Sequence, residues 1–139
     1  MDRTEALRNS PLFSDFTDKE IASVAGTAKE RSFSAGEAIL TRGQEGGRGF
    51  YLLLEGAAKV SAGDKDLAEF GPGDYFGEMA LLLEDTPRTA DVTATADTTC
   101  LVITQWDLKA LISLHPEIGV KMMSELARRL RDTDRALTE

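Results

Sequence analysis

Gly49-Phe50-Tyr51-Leu52-Leu53-Leu54-Glu55-Gly56, followed by Ala57-Ala58-Lys59-Val60-Ser61-Ala62-Gly63-Asp64, is the stretch that decides the fold. Each half is an apolar or alternating run closed by a glycine and an acid. Runs of four to eight such residues between turn signals read as strands, and Gly63-Asp64 between two of them is a tight-hairpin signal. The rhythm extends in both directions. Upstream, Arg31 to Phe33 and Ala38 to Arg42 read as strands, broken by Ala35-Gly36 and by Gly43 to Gly47. Downstream, Asp66 to Phe70, Ala90 to Ala96 and Thr99 to Ile103 do the same, with Gly71-Pro72-Gly73-Asp74 as a break. Many short strands at regular spacing predict a mainly β fold, a double-stranded β-helix (jelly roll) barrel.

Helical patterns flank the strands. Residues 2 to 9 form a short helical segment that Ser10-Pro11 breaks, and Leu12, Phe13 and Phe16 make an apolar knot. Thr17 followed three residues later by Glu20 is a capping-box signature, so a helix is expected over Asp18 to Ala28. After the last strand, Thr104 is placed to cap a helix over Gln105 to Leu114. His115-Pro116 marks a boundary, and a final helix is expected over Pro116 to Leu137. Its stripe is Ile118, Met122, Leu126, Leu130 and Leu137, with Met123. The reading is one domain, residues 1–139: N-terminal helices over 1–30, a barrel over 31–103 with an insertion at 76–90, and C-terminal helices over 104–139.

The 139 residues carry a net charge of −8, which disfavours direct DNA binding because a nucleic-acid surface needs a basic face. The single cysteine, Cys100, sits in an apolar run and reads as an inert buried thiol. One cysteine gives no intrachain disulfide, which suits the cytoplasm. Met1 to Asn9 has no apolar signal region, and no run is long enough for a membrane span. No cluster of Cys and His suggests a metal site. Ser61, Ser113 and Ser124 lack a nucleophile context, and Glu84-Asp85 reads as a solvated loop. His115 reads as a helix-boundary residue, Trp106 as a half-buried core anchor, and Arg128, Arg129, Arg131 and Arg135 as a solvated helix face. Nothing forms a reaction centre, so neither an enzyme nor a cofactor is expected.

The chemistry sits in the insertion. Phe76-Gly77-Glu78-Met79-Ala80-Leu81 is followed by Pro87-Arg88-Thr89-Ala90, with Arg88 ten residues after Glu78. A carboxylate accepts hydrogen bonds from hydroxyls, and a guanidinium matches two phosphate oxygens as a fork. Gly77 lets backbone approach a ligand closely. Glu78 to Leu83 reads as one or two helical turns whose first N–H groups attract an anion. A ligand with hydroxyls at one end and phosphate at the other fits this set. An exposed Glu78–Arg88 ion pair fits the residue types equally well and is worth only ~0–1 kcal/mol.

The string resembles the phosphate-binding cassette of the cyclic nucleotide-binding domain family. Gly36, Ile39, Gly43, Gly46, Tyr51, Gly56, Gly71 and Gly73 also fall where that family places its barrel turns and core. The resemblance implies a ligand site of Phe76, Gly77, Glu78, Met79, Ala80, Pro87, Arg88, Thr89 and Ala90. Gly77 would pack against the sugar, Glu78 would take the ribose 2′-hydroxyl, and Arg88 would pair with the cyclic phosphate. The N–H groups of Ala80 and Ala90 would complete the phosphate cradle. The ten-residue spacing resembles bacterial catabolite-activator-like members. By the same resemblance Thr133, on the last helix, is a candidate contact to the base, with a solvated helix position as the bland alternative. Thr89 fits either base. The implied ligand is cAMP, with cGMP as the alternative. The implied role is a sensor that moves its C-terminal helix against an unidentified effector protein, with a homodimer through that helix as a further expectation. A transcription regulator would need a DNA-binding module after the central helix, and this sequence ends at Glu139; an interaction module with a lost or altered ligand is the remaining alternative.

Overall fold

The computed structural model describes residues 2–40, 49–77 and 91–138. Helix α1 (Arg3–Asn9) starts where the Asp2 carboxylate accepts the Thr4 N–H at 3.0 Å. Pro11–Phe13 form a single 3-10 turn, and α2 follows over Asp18–Thr27. The expected capping box is present: Glu20 N–H donates to Thr17 Oγ1 at 3.2 Å, and Thr17 N–H donates to Glu20 Oε1 at 2.8 Å. Arg3 closes the other end of α2 by donating to the carbonyls of Ala25 and Ala28 at 2.6 and 3.0 Å. Those carbonyls have no helical partner, so the guanidinium supplies what the helix end lacks.

Eight strands follow among the described residues: β1 (Lys29–Phe33), β2 (Ala38–Leu40), β3 (Gly49–Glu55), β4 (Ala58–Ala62), β5 (Lys65–Phe70), β6 (Tyr75–Phe76), β7 (Asp91–Ala94) and β8 (Thr98–Thr104). They form two four-stranded antiparallel sheets, ordered β1-β8-β3-β6 and β2-β7-β4-β5. This is the expected jelly-roll barrel. The β4–β5 hairpin turns on Gly63-Asp64, with Ala62 opposite Lys65. Gly63 has φ of 62° and no described non-glycine residue has positive φ, which is the sign pattern of a II′ turn. Strand edges differ from the sequence reading by a residue or two. The Arg42 end expected for β2 and Ala90 fall outside the described residues. Strand β6 was not expected at all, because two residues carry no readable alternation.

Strands β3 and β8 are buried on both faces, which is why they read as unbroken apolar runs. On one face Phe50, Leu52, Leu54, Leu101 and Ile103 meet the helices; on the other Tyr51, Leu53, Cys100 and Val102 fill the barrel. Burial pushes the Cys100 thiol up to about 12, so it stays protonated and inert. The β3–β4 turn packs against the β7–β8 turn through Gly56, whose φ is 95°. A Cβ there would lie 2.5 Å from the Asp97 carbonyl oxygen, so no side chain fits.

Helix α3 (Gln105–Leu114) opens with a second capping box, Thr104 with Asp107. Helix α4 spans Pro116–Thr138. The reading of Trp106 as a half-buried anchor is corrected: it is 78% exposed. Gln105, Leu108 and Leu111 face the core, and position 106 lies about 100° away from 105 on the helix. Its ring packs under Lys109 Nζ at 5.3 Å instead.

Candidate functional site

The candidate site is approached from two strands in different sheets. Strand β6 delivers Phe76 and Gly77 from one sheet, and β7 resumes at Asp91 in the other. The insertion therefore begins and ends on opposite walls of the barrel. Glu78, Met79, Ala80, Pro87, Arg88, Thr89 and Ala90 lie outside the described residues, as does the helix expected over Glu78 to Leu83.

The described entry to the insertion is firmly held. Phe76 is buried inside the barrel between two rings, stacked on Tyr51 at 5.3 Å and on Phe70 at 5.3 Å. Register fixes this: Phe76 lies opposite Tyr51 in the β3–β6 ladder. Gly77 follows with φ of 86°, a conformation that L side chains rarely adopt. The chain thus turns sharply directly after a residue locked in the core, and it does so without a Cβ that would block approach to the backbone.

Tyr75 points the other way. Adjacent strand residues face opposite sides of a sheet. Its ring packs on Phe50 at 5.2 Å in the helix-side core and lies under the guanidinium of Arg129, with Cζ 4.7 Å from the ring centroid. Burial lowers the Arg129 pKa from its ordinary value. The reading of Arg129 as part of a solvated basic face is therefore corrected. No local signal could have found it, because α4 and β6 are brought together only by the fold.

Helix α4 is fixed at its base. Ile118 and Met122 are buried and Leu126 packs on the same core. Lys121 donates to the Glu20 carboxylate, the one already used in the α2 capping box. Burial pushes the Glu20 carboxyl up, but hydrogen bonds from Lys121 and Thr17 outweigh it and hold the group below its ordinary value. His115 ends α3 as expected, with Nε2 3.4 Å from Ser23 Oγ. Met122, Leu126, Arg129 and Thr133 then recur at helical spacing along one stripe. Thr133 is exposed and continues the line set by Arg129 over Tyr75. A neighbouring face of α4 lines a shallow concavity of about 390 Å³ with Ala127, Leu130, Arg131, Asp134 and Arg135. Among the described residues no helix is long and apolar enough to cross a membrane.

Comparison with known proteins agrees with this geometry. Residues 30–115 match the family model described as the cyclic nucleotide-binding domain. The cyclic AMP receptor protein of Thermus thermophilus is 32% identical over 133 residues, covering 92% of this chain and 61% of the relative. A cAMP-dependent protein kinase regulatory subunit of Hypocrea atroviridis is 36% identical over 91 residues, covering 66% of this chain and 19% of the relative. The chain thus spans about three fifths or less of the length of these relatives. Among solved structures, the N-terminal domain of a transcriptional regulator from Streptomyces coelicolor superposes with a TM-score of 0.87 at 29% identity. That match covers 94% of this chain and 96% of the other.

Proposed function

Because the chain belongs to the cyclic nucleotide-binding domain family, we propose that it captures cAMP, or secondarily cGMP, at the barrel end that opens at Gly77. The observation that carries this is the Phe76–Gly77 entry: a core-locked aromatic followed by a glycine at φ of 86°. In this reading Glu78 takes a sugar hydroxyl and Arg88, ten residues on in the sequence, pairs with the cyclic phosphate. Met79, Ala80, Pro87, Thr89 and Ala90 complete the proposed cradle, through backbone N–H groups at Ala80 and Ala90. Thr133 is the proposed base contact, supported by its place on the stripe that continues from Leu126 and Arg129. The domain acts by binding and not by catalysis, and it works in the cytoplasm.

The upper part of α4 is the proposed output. Ligand capture shifts its position, and that shift is read by a partner protein or by a second copy. Met123, Leu130 and Leu137 are exposed and recur at every seventh residue, the spacing of a coiled-coil seam. A second reading is the sensor portion of a transcription regulator, favoured by the likeness to the Streptomyces coelicolor N-terminal domain. Sensor and regulator share the same pocket. They differ in whether a DNA-binding chain is attached or recruited, and cAMP-dependent retention of a DNA-binding protein would separate them.

Calorimetric titration with cAMP and cGMP tests the pocket, after confirming that no nucleotide co-purifies. Micromolar or tighter binding is expected, with Arg88→Ala weakening it by ~30- to 4,000-fold, the loss that follows when a desolvated charge partner is removed. Glu78→Ala should weaken binding less and blunt rejection of 2′-deoxy analogues. A folded, empty protein that gives no heat with either nucleotide favours the interaction-module alternative. Unchanged affinity in Arg88→Ala would remove the assignment of the phosphate site.

A further inference from the structure

We propose that His115 is a proton-operated clasp between α2 and the start of α4. With two ring protons it holds Ser23 and Glu117 at once; with one it can hold only one of them. The clasp operates with or without a bound nucleotide.

The ring sits where three helices meet. His115 ends α3, its backbone N–H donates to the Leu111 carbonyl, and α4 starts at the next residue, Pro116. Its Nε2 lies 3.4 Å from Ser23 Oγ on α2, a residue 92 positions away in sequence. Its Nδ1 lies 3.6 Å from Oε1 of Glu117, in the first turn of α4. The Ser23 hydroxyl donates its own proton to the Lys19 carbonyl at 3.1 Å. Its oxygen is therefore an acceptor toward the imidazole. The Glu117 carboxylate is an acceptor as well. Both ring nitrogens thus face acceptors. A neutral imidazole carries one N–H and leaves the other nitrogen's lone pair against an acceptor's. An imidazolium carries two N–H groups and serves both sides. Hydroxyl, imidazole and carboxylate in a row have the order of a hydrolytic triad. A nucleophile, however, gives its proton to the imidazole, and Ser23 gives its proton to a carbonyl.

The other charges at this junction are already engaged or turned to solvent. Lys19 is exposed, and Lys121 is on the Glu20 carboxylate. On α3, Asp107 serves the capping box and Lys109 sits over Trp106. Glu117 is left as the charge that the ring faces. Both ring separations exceed the ~2.7–2.9 Å of a charge-assisted contact, so a second proton draws both partners in. Proton uptake adds a contact only in the folded joint. This support is therefore present in mild acid and lost as pH rises through the range in which histidines titrate. The Glu20 carboxyl is held below its ordinary value, so the neighbouring Lys121 contact survives the same mild acid. The His115 and Glu117 side chains are 24% and 51% exposed, which keeps the effect modest.

The test measures folding equilibrium constants by urea denaturation of the parent and of His115→Gln, at about pH 5.5 and about pH 8. Comparing the two proteins at each pH cancels the groups that titrate alike in both. The parent's advantage is expected to be about two- to fivefold larger at the lower pH. Glu117→Gln, at an exposed position, should lose most of this pH-dependent gain, and Ser23→Ala part of it. A ring that only packs would give His115→Gln the same deficit at both pH values, and that result would overturn the clasp. So would a Glu117→Gln protein that keeps the parent's full gain. His115 is the only histidine in the chain, so its ring N–H signals in nitrogen-correlated NMR are unambiguous. In the parent, two ring N–H signals sheltered from water exchange are expected at about pH 5.5 and one at about pH 8; a single sheltered signal at both would contradict the proposal. If His115→Gln does not fold, the Glu117→Gln comparison and the parent's ring signals decide.

Discussion

Between Pro116 and Leu126, α4 buries Ile118 and Met122 and carries the Lys121–Glu20 pair. Between Ala127 and Thr138, the same helix leaves Leu130 and Leu137 65% and 80% exposed and reaches the barrel through Arg129 over Tyr75. The lower half is held by apolar burial, which is strong, short-ranged and indifferent to small rotations. The upper half is held by polar contacts that cost little to break, including Arg128 to Asp15 at 3.1 Å across an exposed surface. One continuous helix therefore contains a segment anchored by apolar burial and a segment held by polar and cation–π contacts.

The largest expected effect falls on the anchored half. Ile118→Ala should cost ~2–5 kcal/mol of folding stability, since it removes a fully buried side chain and leaves a cavity. Urea denaturation measures it, and a loss below ~1 kcal/mol would erase the distinction between the halves. Lys121→Met comes next, at ~1–3 kcal/mol, because Glu20 stays buried without its ammonium partner. This effect carries a pH signature. The Glu20 carboxyl is held below its unfolded value in the parent, so its contribution is present above about pH 4.5 and lost as pH falls through the lower folded value. Without Lys121 that depression shrinks, so the stability gap between parent and variant should narrow as pH falls below about 4.5 in pH-dependent denaturation. A gap that stays constant from pH 7 to pH 3 would show that the pair contributes packing and not charge. The smallest effect belongs to the upper half. Leu130→Ser should change monomer stability by less than ~0.5 kcal/mol, as exposed positions do. If α4 pairs with a second copy, sedimentation equilibrium should instead show self-association weakened in this variant.

Much of this division is written in local sequence, and the rest is not. Thr17-Asp18-Lys19-Glu20 announced its capping box, and Gly63-Asp64 its hairpin, because both depend on residues a few positions apart. The double-sided burial of Phe50 to Leu54 was legible as an unbroken apolar run. Trp106 misled because an aromatic residue in a helix suggests burial, whereas its angular position away from Leu108 and Leu111 decides exposure. Strand β6 was too short to show a period. The Arg129–Tyr75 contact was invisible because it joins two elements that meet only in the folded chain. For the proposed site, the family resemblance supplies Glu78 and Arg88, which lie outside the described residues, and the structure adds the Phe76–Gly77 entry next to them.

The most direct test is hydrogen exchange along α4 with and without saturating cAMP. Amides from about residue 127 to 135 should gain protection on binding, while those from 118 to 124, already protected by the core, should change little. Equal change along the whole helix, or none anywhere in a protein shown by calorimetry to be nucleotide-bound, would contradict a helix divided into an anchored base and a responsive tip.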